Sequence, residues 1–276
     1  MSDNGQRPWT VVTGASRGLG AALVSESLAA GSNVFAVARS TNSELPATAE
    51  KTGNTLVWHR ADLAEDPEKT AVEIVVAVAA AIRADGTPAT AVTLFNNAAT
   101  LDPVGLVGTG GPGRTSFALA VTLNVTAPLE LTDRFISTFA VPEAVQNNLV
   151  APDARLTVAQ ITSGAAQRVM PGLAVYSATK AALNVFTAVA AADIEIQTRR
   201  SSITPVTVVA ISPGLVDSTM QEQLRDSDKS QLPGRSDYQK WQKEGRLRSP
   251  TVTARAILSR LQEADFTPGE FVHIGS

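Results

Sequence analysis

The feature that most constrains this chain is an alternation. Short, nearly continuous apolar runs rich in β-branched residues are separated by longer stretches of helical character. "WTVVTG" precedes "LGAALVSESLAAG", "NVFAVARS" precedes a polar connector, "TLVWHRADL" precedes "PEKTAVEIVVAVAAAIRADG", and "AVTLFNNAA" precedes a helix over 115–139. The second half repeats the pattern with a strand over 156–163, a helix from Val175 to Thr198, a strand over 206–212, helical material over 219–264 and a last strand in "GEFVHIG". Strands with one wet face would alternate apolar and polar residues; these do not, so both faces are covered. The pattern predicts an α/β fold, a Rossmann-type doubly wound parallel β-sheet with helices on both faces. Gly31 and Gly86 stand just beyond the first and third helices, where a left-handed C-cap is wanted.

A chain of 276 residues with 44% apolar content fills one sizeable core. No repeat of fixed period and no long linker divides it, so a single domain over 1–276 is expected, with "LVGTGGPGRTS" at 106–116 as a surface loop. The formal charge of -3 leaves no basic footprint for nucleic acid or an anionic membrane surface. The absence of cysteine excludes disulfides and thiolate metal sites, and His59 and His273, the two histidines, are too few for a zinc centre. The lead "MSDNGQRP" lacks the pattern of a secretory signal, and "AVEIVVAVAAAIRA" is broken by Glu73 and Arg83 and falls short of the roughly 20 residues a bilayer requires. A soluble, cytoplasmic protein is the expectation.

"TGASRGLG" directly follows the first strand and opens the first helix. Gly14, Gly18 and Gly20 therefore fall where the chain must turn tightly and let phosphate approach the helix N-terminal amides. The spacing G-x-x-x-G-x-G differs from the commoner dinucleotide fingerprint, and the competing reading is a plain strand-to-helix turn. Near the end of the second strand an acid would grip the ribose 2′-hydroxyl of NAD, whereas an arginine suits the 2′-phosphate of NADP. Arg39 stands there and Arg17 lies within the loop, so NADPH/NADP+ is the cofactor expected. The alternative is a solvated strand-end Arg39, yet cations are disfavoured at a helix N-terminus that has no anion to meet.

Tyr176 and Lys180 are one helical turn apart and share a face. An ammonium about 5 Å from a phenol, at an effective dielectric near 20, favours phenolate by roughly 3 kcal/mol and would draw the phenol from about 10 toward 7 or 8. Burial opposes that shift. A packed tyrosine beside a snorkelling lysine is the bland alternative. Ser163 ends a strand at the sheet edge where ligands bind in such folds, and Asn124 is an amide in apolar helical surroundings that needs a hydrogen-bonding reason to be there. Tyr238, the other tyrosine, has Gln242 four places on and so offers no rival pair.

Assembled, these residues resemble the short-chain dehydrogenase/reductase family over nearly the whole chain. The resemblance rests on "TGASRGLG", "ADL" with Asp62, "NNAA" at 96–99, "NVT" at Asn124, Ser163, "YSATK", and "PG" at 213–214. It implies Tyr176 as general acid, Lys180 on the nicotinamide ribose, Ser163 orienting the carbonyl, and Asn124 positioning a proton-relaying water. It also implies cofactor contacts at Gly14, Ser16, Arg17, Gly18, Leu19, Gly20, Arg39, Asp62, Leu63, Asn97, Tyr176, Lys180, Pro213, Val216 and Ser218. Two residues depart from the family's usual pattern: Ala99 where glycine is customary, which requires an unstrained backbone, and Ser218 where many members have threonine.

"NVTAPLELTDRF", "PGLVDSTMQEQLRD" and the ending "PGEFVHIGS" are most similar to the sepiapterin reductase and benzil reductase group. That implies an NADPH-dependent carbonyl reductase acting on a small-molecule ketone or dicarbonyl. Sepiapterin reductases hold the pterin amino group with an acid near the C-terminus; "FVHIGS" offers none, so a dicarbonyl is favoured over a pterin. The competing functions are a non-catalytic NADP(H) sensor, an acyl-carrier-protein ketoreductase and a hydroxysteroid dehydrogenase. A nucleotide-sugar epimerase would need a longer C-terminal region and a different glycine loop. The stretch 220–247 reads as a substrate lid or as surface decoration. In this family the helix after Asn124 and the Tyr176 helix often pair across a two-fold axis, which implies a homodimer or homotetramer.

Overall fold

The computed structural model describes residues 7–109, 117–200, 203–263, 266–267 and 269–274. Most of the glycine-rich segment 106–116, read above as a loop, lies outside the described residues. Seven strands form one sheet in the order β3-β2-β1-β4-β5-β6-β7. They are β1 (Trp9–Thr13), β2 (Asn33–Ala38), β3 (Leu56–Arg60), β4 (Ala89–Asn96), β5 (Val150–Ile161), β6 (Val206–Ser212) and β7 (Phe271–His273). Every pairing is parallel. The chain winds outward from β1 to β2 and β3, then returns to place β4 on the other side of β1. The switch point therefore lies between β1 and β4, and the loops leaving their C-terminal ends diverge there.

The helices are α1 (Gly18–Ala29), α2 (Leu45–Thr52), α3 (Pro67–Asp85), α4 (Phe117–Val121), α5 (Ala127–Phe139), α6 (Pro142–Gln146), α7 (Ala174–Arg199), α8 (Thr219–Asp226), α9 (Arg235–Lys243) and α10 (Pro250–Glu263). One core, with Leu23, Leu28 and Ile257 from α1 and α10, covers one face of the sheet. The other, with Ile74, Ile82, Leu131, Phe135 and Ile194 from α3, α5 and α7, covers the opposite face. Gly31 and Gly86 take φ of 87° and 81°, the left-handed turns anticipated after α1 and α3.

The connector after β2 is in part a helix. In α2 only Leu45 and Ala49 are buried, with Pro46 in the first turn and Gly53 at φ 66° ending it. Strand β5 begins earlier than its apolar run, at Val150, and a register shift against β4 between Ala89 and Ala91 absorbs the exposed Pro152 and Asp153. Between α4 and α5 the helix widens to a π-turn over Thr122–Thr126, where the N–H of Ala127 reaches the carbonyl of Thr122. Pro128 gives the reason. An α-helical proline drives its ring into the carbonyl four residues back, here that of Asn124, and has no N–H to offer it.

Candidate active site

A crevice of about 750 Å³ opens at the C-terminal edge of the sheet, over the switch point. The glycine loop forms one wall. Gly14 and Gly18 take φ of 67° and 55°. A Cβ on Gly20 would stand 2.1 Å from the carbonyl oxygen of Gly14, so the loop curls more tightly than any side chain permits. Asn97, leaving β4, locks it: its Nδ2 donates to the carbonyls of Thr13, at 2.9 Å, and of Gly14, at 3.4 Å. Thr13 Oγ1 in turn accepts from the backbone N–H of Asn97 and of Ala98, both at 3.0 Å. The turn thus presents the N-terminus of α1 to the crevice without any acidic residue in the first turn, as an anion site requires.

Ser16, Arg17, Leu19, Arg39, Asp62 and Leu63 line the same end of the crevice. Arg39 is largely exposed and stands 3.7 Å from Asp62, whose other oxygen accepts from the N–H of Ala64 at 3.0 Å. At the other end Pro213, Val216 and Ser218 line the wall. Ser218 also caps α8, accepting from the N–H of Gln221 at 3.5 Å, and Val216 pairs with Arg248 in a β-bridge. Ala99 lies outside the left-handed region, so its methyl in place of the customary glycine costs no backbone strain.

Ser163, Tyr176 and Lys180 meet in the middle of the crevice. Two reciprocal bonds stitch the end of β5 to α7. Lys180 Nζ donates to the carbonyl of Ile161 at 2.8 Å, and the Thr162 hydroxyl donates to the carbonyl of Lys180 at 3.2 Å. Ser163 follows immediately, capping a 3-10 turn over Gly164–Gln167, and its hydroxyl is hydrogen-bonded to the Tyr176 phenol.

The electrostatics correct one expectation. The phenol of Tyr176 lies above its ordinary value of 10, not below it: burial raises it, and only the bond to Ser163 works the other way. The Lys180 ammonium, 5.9 Å from the centre of the tyrosine ring, points to a backbone carbonyl and is itself desolvated, which lowers it to about 8.

Asn124 stands behind the wall, not in it. It is 1% exposed. Its Oδ1 accepts from the N–H of Thr100 at 2.8 Å, and its Nδ2 donates to the carbonyl of Thr100 at 2.8 Å and to Thr179 Oγ1 at 3.1 Å. Thr179 donates onward to the carbonyl of Tyr176 at 2.8 Å. The amide therefore ties the loop after β4 to the turn of α7 that carries both Tyr176 and Lys180. The sequence marked the residue but not these partners.

The segment 220–247 belongs to the crevice. Leu224, Leu232 and Tyr238 pack with Tyr176, Leu173 and Leu101 in a separate apolar cluster, with Met170, Met220 and Trp241 against it. Tyr238 and Trp241, three apart on α9 and among the apolar residues that suggested a lid, both line the crevice. Arg168, Arg246 and Arg248 also line this end and were not anticipated. Among the described residues no three histidine, aspartate or glutamate side chains gather as metal ligands, and no helix is long and apolar enough to cross a membrane.

The family model for short chain dehydrogenases matches residues 8–229. The chain belongs to that family. Within it, this short-chain dehydrogenase is 30% identical over 269 residues to a benzil reductase ((S)-benzoin forming) of Bacillus cereus, spanning 96% of this chain and 98% of that one. A sepiapterin reductase of Meriones unguiculatus is 30% identical over 272 residues, 95% of this chain and 94% of its own. The crystal structure of a 3-oxoacyl-[acyl-carrier protein] reductase from Brucella melitensis in complex with NAD shares the fold, with a TM-score of 0.71 at 22% identity over 98% of this chain and 96% of the other. An oxidoreductase that uses a nicotinamide cofactor follows from the family, and the glycine turn and helix N-terminus described above fit a dinucleotide.

Proposed function

We propose that this short-chain dehydrogenase is an NADPH-dependent carbonyl reductase whose substrate is an aromatic or otherwise activated 1,2-dicarbonyl. The observation that carries the reading is the convergence of Ser163, Tyr176 and Lys180 in one crevice with the glycine turn and two arginines, Arg17 and Arg39. The amides of the Gly14–Gly20 turn would hold a diphosphate. Arg17 and Arg39 would meet a 2′-phosphate, Asp62 and Leu63 would border the adenine, and Asn97, Lys180, Pro213, Val216 and Ser218 would border the nicotinamide half. When bound, the reduced nicotinamide supplies a hydride.

Tyr176 supplies the proton. A phenol whose burial keeps it protonated at neutral pH is suited to giving a proton to an alkoxide as it forms, the reductive direction. The Ser163 hydroxyl donates to the same oxygen and strengthens its hold as negative charge develops there. At pH 7 the amine of Lys180, lowered to about 8, is charged in about ten molecules for every neutral one, and this cation stabilises the phenolate left behind. The phenolate regains its proton from solvent. Asn124 would serve through its backbone: Pro128 removes the α-helical donor to its carbonyl, which would hold a relaying water.

The similarity to a benzil reductase and the aromatic side chains of α9 support an aryl dicarbonyl. Val185, Val189 and Ile196 are 66%, 53% and 47% exposed along α7, and this apolar stripe supports pairing of two copies. The test is turnover of benzil by purified protein with each coenzyme. NADPH is consumed and NADH is used far less well; equal or better use of NADH would overturn the coenzyme reading, and tight NADPH binding with no turnover would replace the enzyme with a sensor.

A further inference from the structure

The Tyr238 phenol has no part in the reaction just described, yet it stands inside the site. It lines the crevice, is 4% exposed, and packs in the same apolar cluster as Tyr176. α9 fixes its ring. Trp241 meets it edge-on, with centroids 5.1 Å apart and planes at 79°, while Leu224 and Leu232 close around it.

No hydrogen bond joins its hydroxyl to another described residue, and its oxygen is not among the buried atoms left without a partner, so it faces the crevice. A hydroxyl on the crevice wall that packing leaves uncommitted is available to a ligand, and covering it without giving it a partner is unfavourable. The phenol is pushed up to about 12, chiefly by burial and then by the Asp237 carboxylate and the neighbouring Tyr176 phenol, with which it shares one apolar cluster. A group with that value stays protonated throughout the neutral range. It gives a hydrogen bond and transfers no proton.

We propose that Tyr238 selects a vicinal dicarbonyl, by donating a hydrogen bond to the oxygen next to the one that Tyr176 and Ser163 address. The inference rests on the carbonyl-reductase reading above and names the group that sets its substrate class. A monoketone satisfies Tyr176 and Ser163 but leaves the Tyr238 hydroxyl dry and unpaired. A 1,2-dicarbonyl satisfies all three, so the penalty of an unmade bond falls on the competitor alone. The flanking aryl group then meets Trp241, Leu101 and Met170, which offer it apolar and aromatic surface.

Benzil and deoxybenzoin, which differ by the second carbonyl oxygen alone, make the matched pair for the test, and Tyr238→Phe removes only the hydroxyl. The ratio of kcat/KM for benzil to that for deoxybenzoin falls about tenfold in the variant, through a higher KM for benzil. NADPH affinity and the thermal midpoint, measured alongside, report an intact fold. A purely structural role would lower both ketones alike; a ratio unchanged within about twofold overturns this inference while leaving the reductase reading intact. Wild-type protein inert toward both ketones overturns the reductase reading and this inference with it.

Discussion

Replacing Lys180 with methionine isolates the energetic cost of the site. Lys180 is 2% exposed, and burial lowers its amine from 10.5 to about 8. At about 1.4 kcal/mol per pKa unit, keeping that ammonium charged in the folded protein costs about 3 kcal/mol. Lys180→Met keeps the length of the side chain, removes the charge and leaves the carbonyl of Ile161 without its donor, a loss of about 1–3 kcal/mol. At pH 7 the two effects nearly offset each other, but only the first depends on pH.

The folded value lies below the unfolded one, so between about pH 8 and pH 10.5 the unfolded chain binds more protons and the wild-type protein gains stability as pH rises. Well below pH 8 both states are protonated and the contribution is flat. The wild-type minus variant difference in unfolding free energy therefore rises by roughly 2.5 kcal/mol from pH 7 to pH 10. Urea unfolding of both proteins across that range measures it, and taking the difference removes the groups they share. Curves that stay parallel to within about 0.5 kcal/mol would show that the amine is not desolvated, and the reasoning from burial would fail.

Asn124→Ala, by leaving the N–H and carbonyl of Thr100 unpaired and removing the donor to Thr179 Oγ1, lowers stability by about 2–4 kcal/mol and kcat by on the order of tenfold or more, with NADPH affinity little changed. Asn124→Asp, which keeps the acceptor for the Thr100 N–H but sets an oxygen against the Thr100 carbonyl, does not rescue it; chemical denaturation and steady-state kinetics decide both. Arg39→Ala raises the KM for NADPH by on the order of tenfold and leaves that for NADH within about twofold, read from coenzyme titrations at fixed ionic strength.

The sheet was legible because parallel strands buried on both faces leave uninterrupted apolar runs, and all seven were placed from them. Elements that bury little were not: α2, with two buried side chains, reads as polar connector, and the first residues of β5 are hidden behind Pro152 and Asp153. Gly14, Gly18 and Gly20 could be read as a tight turn because a positive φ and a missing Cβ are written into the residue type. Ser163, Tyr176 and Lys180 were recognised for the same reason, as residue types at fixed positions along the chain.

What a helix shares with its own neighbours is visible in sequence; what it packs against is not. The phenol of Tyr176 was expected to fall because Lys180 is one turn away, but the ammonium is drawn to the carbonyl of Ile161 and burial dominates. Tyr238 was set aside as a catalytic pair because Gln242, not a lysine, stands four places on. Its relevant neighbour is Tyr176, brought to it by the packing of the segment after β6 onto the start of α7.

The central claim is that the Tyr176 hydroxyl gives the proton. Single-turnover reduction of benzil by NADPH-loaded Tyr176→Phe protein tests it most directly: coenzyme binds as in the wild type and the rate of reduction falls by about 10²–10⁴. A variant that binds NADPH equally well and reduces benzil within about threefold of the wild-type rate would contradict it.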